Sequence, residues 1–169
     1  MDIIQLLTKK NGEFPNNSRL PVLLYKAVLN LHESELENEL IISGIFEHCN
    51  WGNTWVNGIY SYQHYHSNTH EVLAVAGGTC SVMLGGERGT IYKMVMGDVL
   101  IIPAGVAHKS TAHSEDFLCV GAYPEGKDYD IKYGEPGEYA QSYENIQQVP
   151  LPATDPVYGK EGPLLNYWK

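Results

Sequence analysis

Cysteine is scarce in this chain of 169 residues, and its distribution excludes two common uses of thiols. The three cysteines, Cys49, Cys80 and Cys119, are odd in number, far apart and in no C-x-x-C spacing. Neither a disulfide framework nor a thiolate zinc site fits that pattern. We therefore interpret all three as reduced thiols that pack like small hydrophobic side chains.

Basic residues and long apolar runs are also few. Lys and Arg number 11 against 20 Asp and Glu, which gives a formal net charge of −9. A polyanion would be repelled by that charge, so we expect no nucleic-acid partner. No run of about 18 or more apolar residues is present, and the N-terminus lacks the basic and apolar regions of a signal peptide. These absences predict a cytoplasmic protein without membrane association.

What the chain does contain is enough apolar material for a core. Hydrophobic residues make up 43% of the chain, and its length fits one domain over residues 1–169. Two prolines and several branched residues favour a peripheral extended strand within 20–29. Ser34 and Glu37 form a capping-box pair that predicts a helix over 34–48. Its apolar face at a period near 3.6 residues would hold Leu36, Leu40, Ile41 and Ile45.

Between residues 51 and 123, short runs rich in Val, Ile, Thr and Tyr alternate with Gly and Pro, as is typical of an all-β sandwich or barrel. The predicted strands are 55–66, 71–76, 79–84, 90–95, 99–102, 108–113 and 117–123. The glycine-rich segment 85–89 lies between two strands and precedes no helix, so we interpret it as a hairpin turn. Residues 124–169, with a short helix at 138–148, are too apolar for a solvated tail. We expect them to wrap the barrel or a neighbouring subunit.

One histidine pair has the spacing of metal ligands on a strand. His64 and His66 are two residues apart, and such positions point to the same face of a β-strand. Four residues then precede Glu71, enough for a tight turn and the start of an antiparallel partner strand. The spacing predicts that one hairpin supplies three ligands, His64, His66 and Glu71.

Two longer patterns contain these residues. Gly58 to Gly78 fits G-x5-H-x-H-x4-E-x6-G, and Gly97 to His108 fits G-x5-P-x-G-x2-H. In these motifs the chain resembles the cupin superfamily. The family's second motif usually ends in Asn, and this sequence has Ala112 there.

The resemblance implies an all-β fold, a double-stranded β-helix or jelly-roll barrel, with its core at about 51–123. One N-terminal strand and helix in 14–50 and an irregular C-terminal wrap in 124–169 would surround it. The resemblance adds His108 as a fourth metal ligand. Phe14–Asn17 and Leu20–Tyr25 also resemble the corresponding segments of a group of single-domain bacterial cupins labelled YjlB-like. Small cupins are often dimers, and the apolar tail and segment 20–29 offer material for a homodimer interface.

Three imidazoles and one carboxylate suit Fe, Mn, Ni, Co, Cu or Zn as a divalent ion, and no soft sulfur selects among them. The expected cofactor is therefore one divalent transition-metal ion of unspecified identity. Four protein ligands in octahedral geometry leave two positions open for water or a bidentate substrate.

Further polar residues are assigned by counting along strands. Tyr62 and Tyr60 share the face of His64, and Ser110 shares that of His108, so all three are expected inside the barrel. We predict Glu71 and Tyr62 as catalytic residues. His70 and His113 have odd offsets and should face away, with His70 kept as a possible substitute ligand because turn residues need not alternate. Like His32 and His48, which flank the helix, they are interpreted as structural.

Three functions are compatible with these residues. The first is a metal-dependent oxidoreductase of the dioxygenase type, or else an isomerase or decarboxylase, acting on a small oxygen-rich chelating substrate. By the resemblance, retention of Glu71 argues against thiol dioxygenases, which usually have three histidines only. The second is a non-catalytic cupin that binds or senses a small molecule or metal. The third, metal-free sugar epimerisation, would make a complete ligand quartet superfluous.

Overall fold

Two antiparallel β-sheets and three helices make up the fold. The structure is a computed structural model that describes all residues 1–169. The strands are β1 Asp2–Leu6, β2 Val22–Lys26, β3 Trp51–Asn57, β4 Glu71–Gly77, β5 Thr79–Leu84, β6 Thr90–Val95, β7 Val99–Ile102, β8 His108–His113 and β9 Leu118–Pro124. The helices are α1 Glu35–His48, α2 Tyr139–Gln148 and α3 Leu164–Tyr167. The prediction of a mainly β fold with one N-terminal helix is confirmed.

The larger sheet has six strands in the order β1-β2-β7-β4-β9-β3. Its central strand β4 is buried along its whole length, because both faces of the sheet are covered. Alternate residues of β4 divide between two cores: Val72 and Ala74 belong to one, Leu73 and Val75 to the other. Glu71 has the parity of Leu73 and therefore starts on the face that turns toward the smaller sheet.

The smaller sheet has the order β6-β5-β8 and closes the second core with Cys80, Val82, Leu84 and Met94. β5 and β6 pair in antiparallel register from Thr79 with Val95 to Leu84 with Thr90. Segment 85–89 connects them, so its interpretation as a hairpin turn is confirmed. All three cysteines are free and buried, as expected.

The N-terminal segment departs from two predictions. β2 is an inner strand with both neighbours paired, because β1, which the sequence did not reveal, forms the edge instead. Helix α1 begins after Ser34, whose hydroxyl accepts a hydrogen bond from the backbone N–H of Glu37. Its predicted apolar face is wrong in part: Ile45 packs against the first core, but Leu36 and Leu40 are 66% and 69% exposed. The fully buried residues of this face are Ile42 and Phe46.

The C-terminal segment wraps the chain's own barrel. Leu164 and Trp168 lie in the first core, and the indole N–H of Trp168 donates to the carbonyl of Pro21 at 2.8 Å. Asp155 anchors this segment from within, since its buried carboxylate accepts the hydroxyl of Tyr25 and the backbone N–H of Leu164. Leu164 and Trp168 thus confirm that the tail wraps the barrel, while Tyr143 and Leu151 of the same segment stay exposed. No helix has the length and apolarity needed to cross a bilayer.

Candidate metal centre

Three histidines meet at one end of the barrel by a route that differs from the predicted hairpin. β3 ends at Asn57, and the segment 58–66 makes no ladder with β4. It instead forms an isolated antiparallel bridge with the start of β8, in which the backbones of His64 and His108 exchange hydrogen bonds of 3.2 and 2.9 Å. The bridged chain is extended at this point, so His64 and His66 share one side, while the buried Tyr65 points to the other side and donates its hydroxyl to Ser142 of α2.

The three imidazoles converge closely enough to share one ion. One ring nitrogen from each of His64, His66 and His108 lies within 4.8 Å of the others, and all three side chains are buried. The cluster contains the two histidines that the strand spacing paired and the third that the cupin motif implied.

Backbone carbonyls orient all three rings in the same way. The Nδ1 atom of His64 contacts the carbonyl of Tyr62 at 3.1 Å, that of His108 contacts the carbonyl of Val106 at 3.0 Å, and that of His66 contacts the carbonyl of Asp130. A carbonyl only accepts hydrogen bonds, so each Nδ1 must carry the proton. In the neutral ring the lone pair then lies on Nε2, which is the arrangement that a metal-binding histidine needs.

Glu71 lies beside the cluster, and one of its carboxylate oxygens accepts a hydrogen bond while the other has no partner. Its Oε1 accepts a hydrogen bond from the hydroxyl of Tyr123 at 3.1 Å. Its Oε2 lies 3.3 Å from Nε2 of His66 and 3.2 Å from Nε2 of His108, yet it is buried without a hydrogen-bond partner. A buried carboxylate oxygen without a partner is costly, and either a proton on a neighbouring Nε2 or a cation between these groups would relieve that cost.

The charges of the cluster depend on burial and on Glu71. Burial lowers the pKa of His64 to about 3, with the neighbouring His108 acting in the same direction, so this ring is neutral at physiological pH. Burial also opposes protonation of His66, but the carboxylate of Glu71 outweighs it and raises its pKa. Burial favours the neutral form of Glu71, but the adjacent His66 and His108 outweigh it and hold the pKa of this carboxyl well below its usual range.

These residues fit a divalent transition-metal ion. Three Nε2 donors and one carboxylate oxygen form a nitrogen and oxygen set of intermediate hardness, and the unpaired Oε2 atom faces the place where the donors meet. The donor chemistry does not select one metal among those named from the sequence.

The cluster lies in the wall of a cavity of about 280 Å³. Most of its lining is apolar or aromatic, and no Lys or Arg contributes to it. The lining residues are Trp55, Val56, Asn57, Gly58, Ile59, Tyr60, His64, His66, Glu71, Leu73, His108, Tyr123, Tyr129 and Ile131. The cavity can therefore admit a small molecule beside the three histidines.

A glycine shapes one wall of this cavity. Gly121 in β9 pairs with Trp55 in β3, and a Cβ atom at position 121 would come within 2.2 Å of the indole ring. Because position 121 has no Cβ atom, the indole lies across β9, and its N–H donates to the hydroxyl of Tyr123 at 2.9 Å. The absence of a side chain at 121 thus lets Trp55, Tyr123 and Glu71 form one hydrogen-bonded chain.

The remaining predicted site residues have mixed outcomes. Tyr62 is 45% exposed and does not line the cavity; it stacks on Tyr60, which does line it, with ring centroids 4.8 Å apart. The expectation that Tyr62 faces the interior is wrong, because the chain has left the strand before this residue. Ser110 is buried as expected, but its hydroxyl contacts the thiol of Cys80 outside the cavity. His113 is exposed and away from the cluster, as predicted.

His70 is excluded as a substitute ligand because both of its ring nitrogens are engaged elsewhere. Its Nδ1 accepts the backbone N–H of Ala104 at 2.9 Å, and its Nε2 lies 3.2 Å from the carbonyl of Pro150, to which it donates. Burial lowers its pKa to about 4, consistent with a neutral structural histidine. The odd offset of His70 from Glu71 in the sequence predicted this structural role, and the prediction is confirmed.

Sequence reasoning missed the residues that support the cluster from a distance along the chain. Tyr123 lies 52 positions after Glu71, and Asp130 lies 64 positions after His66. The Asp130 carboxylate also accepts the backbone N–H of Ser67 at 2.7 Å, which holds its segment against the site. The tyrosine-rich composition after residue 123 was the available signal, but it gave no register.

The chain is similar in sequence or in structure to several known proteins. Residues 57–158 match the family model of the AraC-like ligand-binding domain. The chain is 39% identical over 158 residues to the uncharacterized protein YjlB of Bacillus subtilis, covering 94% of this chain and 92% of that protein. It is similar in structure to acireductone dioxygenase from Bacillus anthracis, at 16% identity and a TM-score of 0.45 over 64% of this chain and 80% of that chain. Procruciferin of Brassica napus gives 17% identity and a TM-score of 0.39 over 69% of this chain, which spans only 23% of the globulin.

Proposed function

Because the chain belongs to the cupin-type family of AraC-like ligand-binding domains, we propose that it is a metal-dependent enzyme acting on a small chelating molecule. The reaction would be an oxidation of the dioxygenase type, or else an isomerisation or decarboxylation. One observation carries the proposal: three imidazoles, each oriented by a backbone carbonyl, converge beside an unpaired carboxylate oxygen in a cavity wall. Fold alone would not support a reaction, but this site does.

In this proposal His64, His66, Glu71 and His108 hold the ion. When bound, a divalent ion supplies Lewis acidity toward the oxygens of a chelating substrate and, if it is redox-active, electron transfer. The carbonyls of Tyr62, Val106 and Asp130 keep each Nε2 free by holding the proton on Nδ1.

Glu71 would have a second role in addition to coordination. The hydroxyl of Tyr123 occupies Oε1, so Oε2 is the atom able to take a proton from a chelating substrate. Around it, the rings of Trp55, Tyr123 and Tyr129 form an aromatic wall of the cavity. Tyr62 stays a predicted catalytic residue, now from a position outside the cavity lining, and Tyr62→Phe is its test.

Metal content tests the ligand assignment. Protein purified without affinity-tag metals should carry about one equivalent of a divalent transition metal by elemental analysis. The double variant His64→Ala with His108→Ala should lose it, while His113→Ala, which removes an exposed histidine, should keep it. Full metal occupancy in the double variant would refute the site.

Turnover tests the role of Glu71. Metal-loaded wild type and Glu71→Gln are compared by oxygen consumption and product analysis with diketones, phenols and small acids as substrates. If Glu71 moves a proton, the variant should lose roughly 10²-fold or more in kcat at equal metal content. Wild-type rates in metal-loaded Glu71→Gln would reduce this residue to a dispensable ligand.

Non-catalytic binding of a small molecule is the second candidate, and the matched family favours it because that family is one of ligand-binding domains. Binding of a chelating compound to the metal-loaded protein, with no compound of the panel consumed, would support this function over the enzyme.

A further inference from the structure

We propose that the ligand of this cavity is a bidentate oxygen chelator with a single negative charge on a small, planar, apolar body. This inference rests on the proposed function, since it assumes a metal at the histidine cluster. It follows from the charges and the surfaces that line the cavity, and it narrows the ligand to one chemical class.

The first observation is the balance of charges at the cavity. Glu71 is the only acidic side chain that lines the cavity, and no Lys or Arg lines it. A divalent ion held by neutral imidazoles and this carboxylate retains one positive charge. A monoanionic chelator neutralises that charge, whereas a dianion would leave a negative charge that no cationic side chain of the lining compensates, which is costly. The net charge of −9 on the whole chain adds to the penalty for a dianion.

The second observation is the aliphatic and aromatic surface of the cavity walls. Leu73, Ile59 and Ile131 present aliphatic surface, and Tyr129 stacks on Tyr123 with ring centroids 4.6 Å apart. The edge of the Trp55 indole completes this side. Flat apolar groups gain most from such surfaces, because they bury area against rings at little entropic cost.

Size carries the third step. The cavity volume of about 280 Å³ lies at the lower limit of the ligand pockets found in proteins. A small ring fits within this volume, whereas the phosphate groups of a phosphorylated ligand would lack a cationic side chain to pair with. Enolised diketones and singly ionised catechol-like rings have the required charge, size and shape.

Binding to the cobalt-loaded protein tests the inference without requiring turnover. Three oxygen chelators serve as probes: tropolone, a planar aromatic monoanion; acetohydroxamate, a monoanion with almost no apolar body; and oxalate, a dianion. Affinities are measured by the visible absorption of cobalt and by calorimetry, and gel filtration verifies that cobalt stays on the protein. We expect tropolone to bind at least about tenfold more tightly than either of the others.

Variants at Ile131 isolate the charge argument from the intrinsic affinity of each probe for cobalt. Ile131→Arg adds a cation to the cavity wall and should raise oxalate affinity by about tenfold relative to Ile131→Gln, its neutral control. Tropolone affinity should not rise. Ile59→Arg, which places the cation on another segment of the lining, repeats the test if Ile131→Arg fails to fold.

The outcomes separate the two proposals. If the protein takes up no cobalt, the metal-dependent function is overturned and this inference falls with it. If cobalt binds but wild type prefers oxalate or acetohydroxamate to tropolone, only the inference falls. An arginine in the wall that leaves oxalate affinity unchanged would likewise overturn the charge argument.

Discussion

Replacing Tyr123 by phenylalanine is the sharpest test of how the carboxylate of the candidate metal centre is held. The Tyr123 hydroxyl accepts the indole N–H of Trp55 at 2.9 Å and donates to Oε1 of Glu71 at 3.1 Å. Burial, followed by the charge of Glu71, raises the pKa of Tyr123 above its usual range. The hydroxyl therefore remains a donor at any working pH, and Tyr123→Phe removes it while keeping the ring.

The expected magnitude follows from the two bonds that are lost. A hydrogen bond to a charged group contributes about 1.5–3 kcal/mol, and the loss leaves Oε1 of Glu71 buried without a partner. We expect the metal-free variant to be destabilised by about 2–3 kcal/mol. Metal affinity should fall by roughly 10- to 100-fold, as is usual when the group that orients a ligand is removed.

Urea unfolding in the presence of a chelator measures the first effect, and competition with a chromophoric chelator measures the second. Tyr129→Phe is the matched control, because Tyr129 stacks on Tyr123 and lines the same cavity but makes no hydrogen bond to Glu71. It should leave metal affinity within about twofold of wild type. Equal metal affinities for Tyr123→Phe and wild type would refute the view that this hydroxyl positions Glu71.

Three further predictions address the scaffold. Asp155→Asn should lower the free energy of unfolding by about 2–4 kcal/mol in urea titrations, because a buried carboxylate that accepts four donors becomes an amide; Tyr25→Phe, which removes one donor, should cost less. His70→Leu should cost about 2–4 kcal/mol by unpairing two backbone groups, yet retain full metal content by elemental analysis. If the protein is the predicted homodimer and the exposed Leu36 and Leu40 lie in its interface, Leu40→Glu should reduce the mass in light scattering; a monomeric wild type would contradict the dimer.

Much of the fold was predictable because its signals are local. The strands from β4 to β8 lie within a residue of their predicted bounds, since Gly and Pro mark the turns between short runs of branched residues. The Ser34 and Glu37 pair located helix α1, and the structure has the hydrogen bond from the backbone N–H of Glu37 to the hydroxyl of Ser34. The apolar pattern did not identify the buried face of α1 correctly, because apolar residues at a helical period do not reveal which side of the helix the sheet will cover.

The candidate site divides in the same way. Spacing alone paired His64 with His66, because alternation in an extended chain is a property of the local backbone and holds even outside a ladder. The hairpin that was to deliver Glu71 does not exist; the sheet delivers it, through pairing of β4 with β7 and β9. Such pairings join residues far apart in the chain, and the local sequence carries little information about them.

The sequence by itself thus determined the strand and turn pattern, the two histidines on one side of an extended segment, and the motifs that imply a cupin. Tertiary structure alone decided the rest of the site. Only the folded chain brings Asp130 to His66 and Tyr123 to Glu71, and only packing shows that Tyr62 is half-exposed at 45%. The physical reason is that hydrogen bonds and burial depend on neighbours in space, whereas a sequence pattern reports neighbours along the chain.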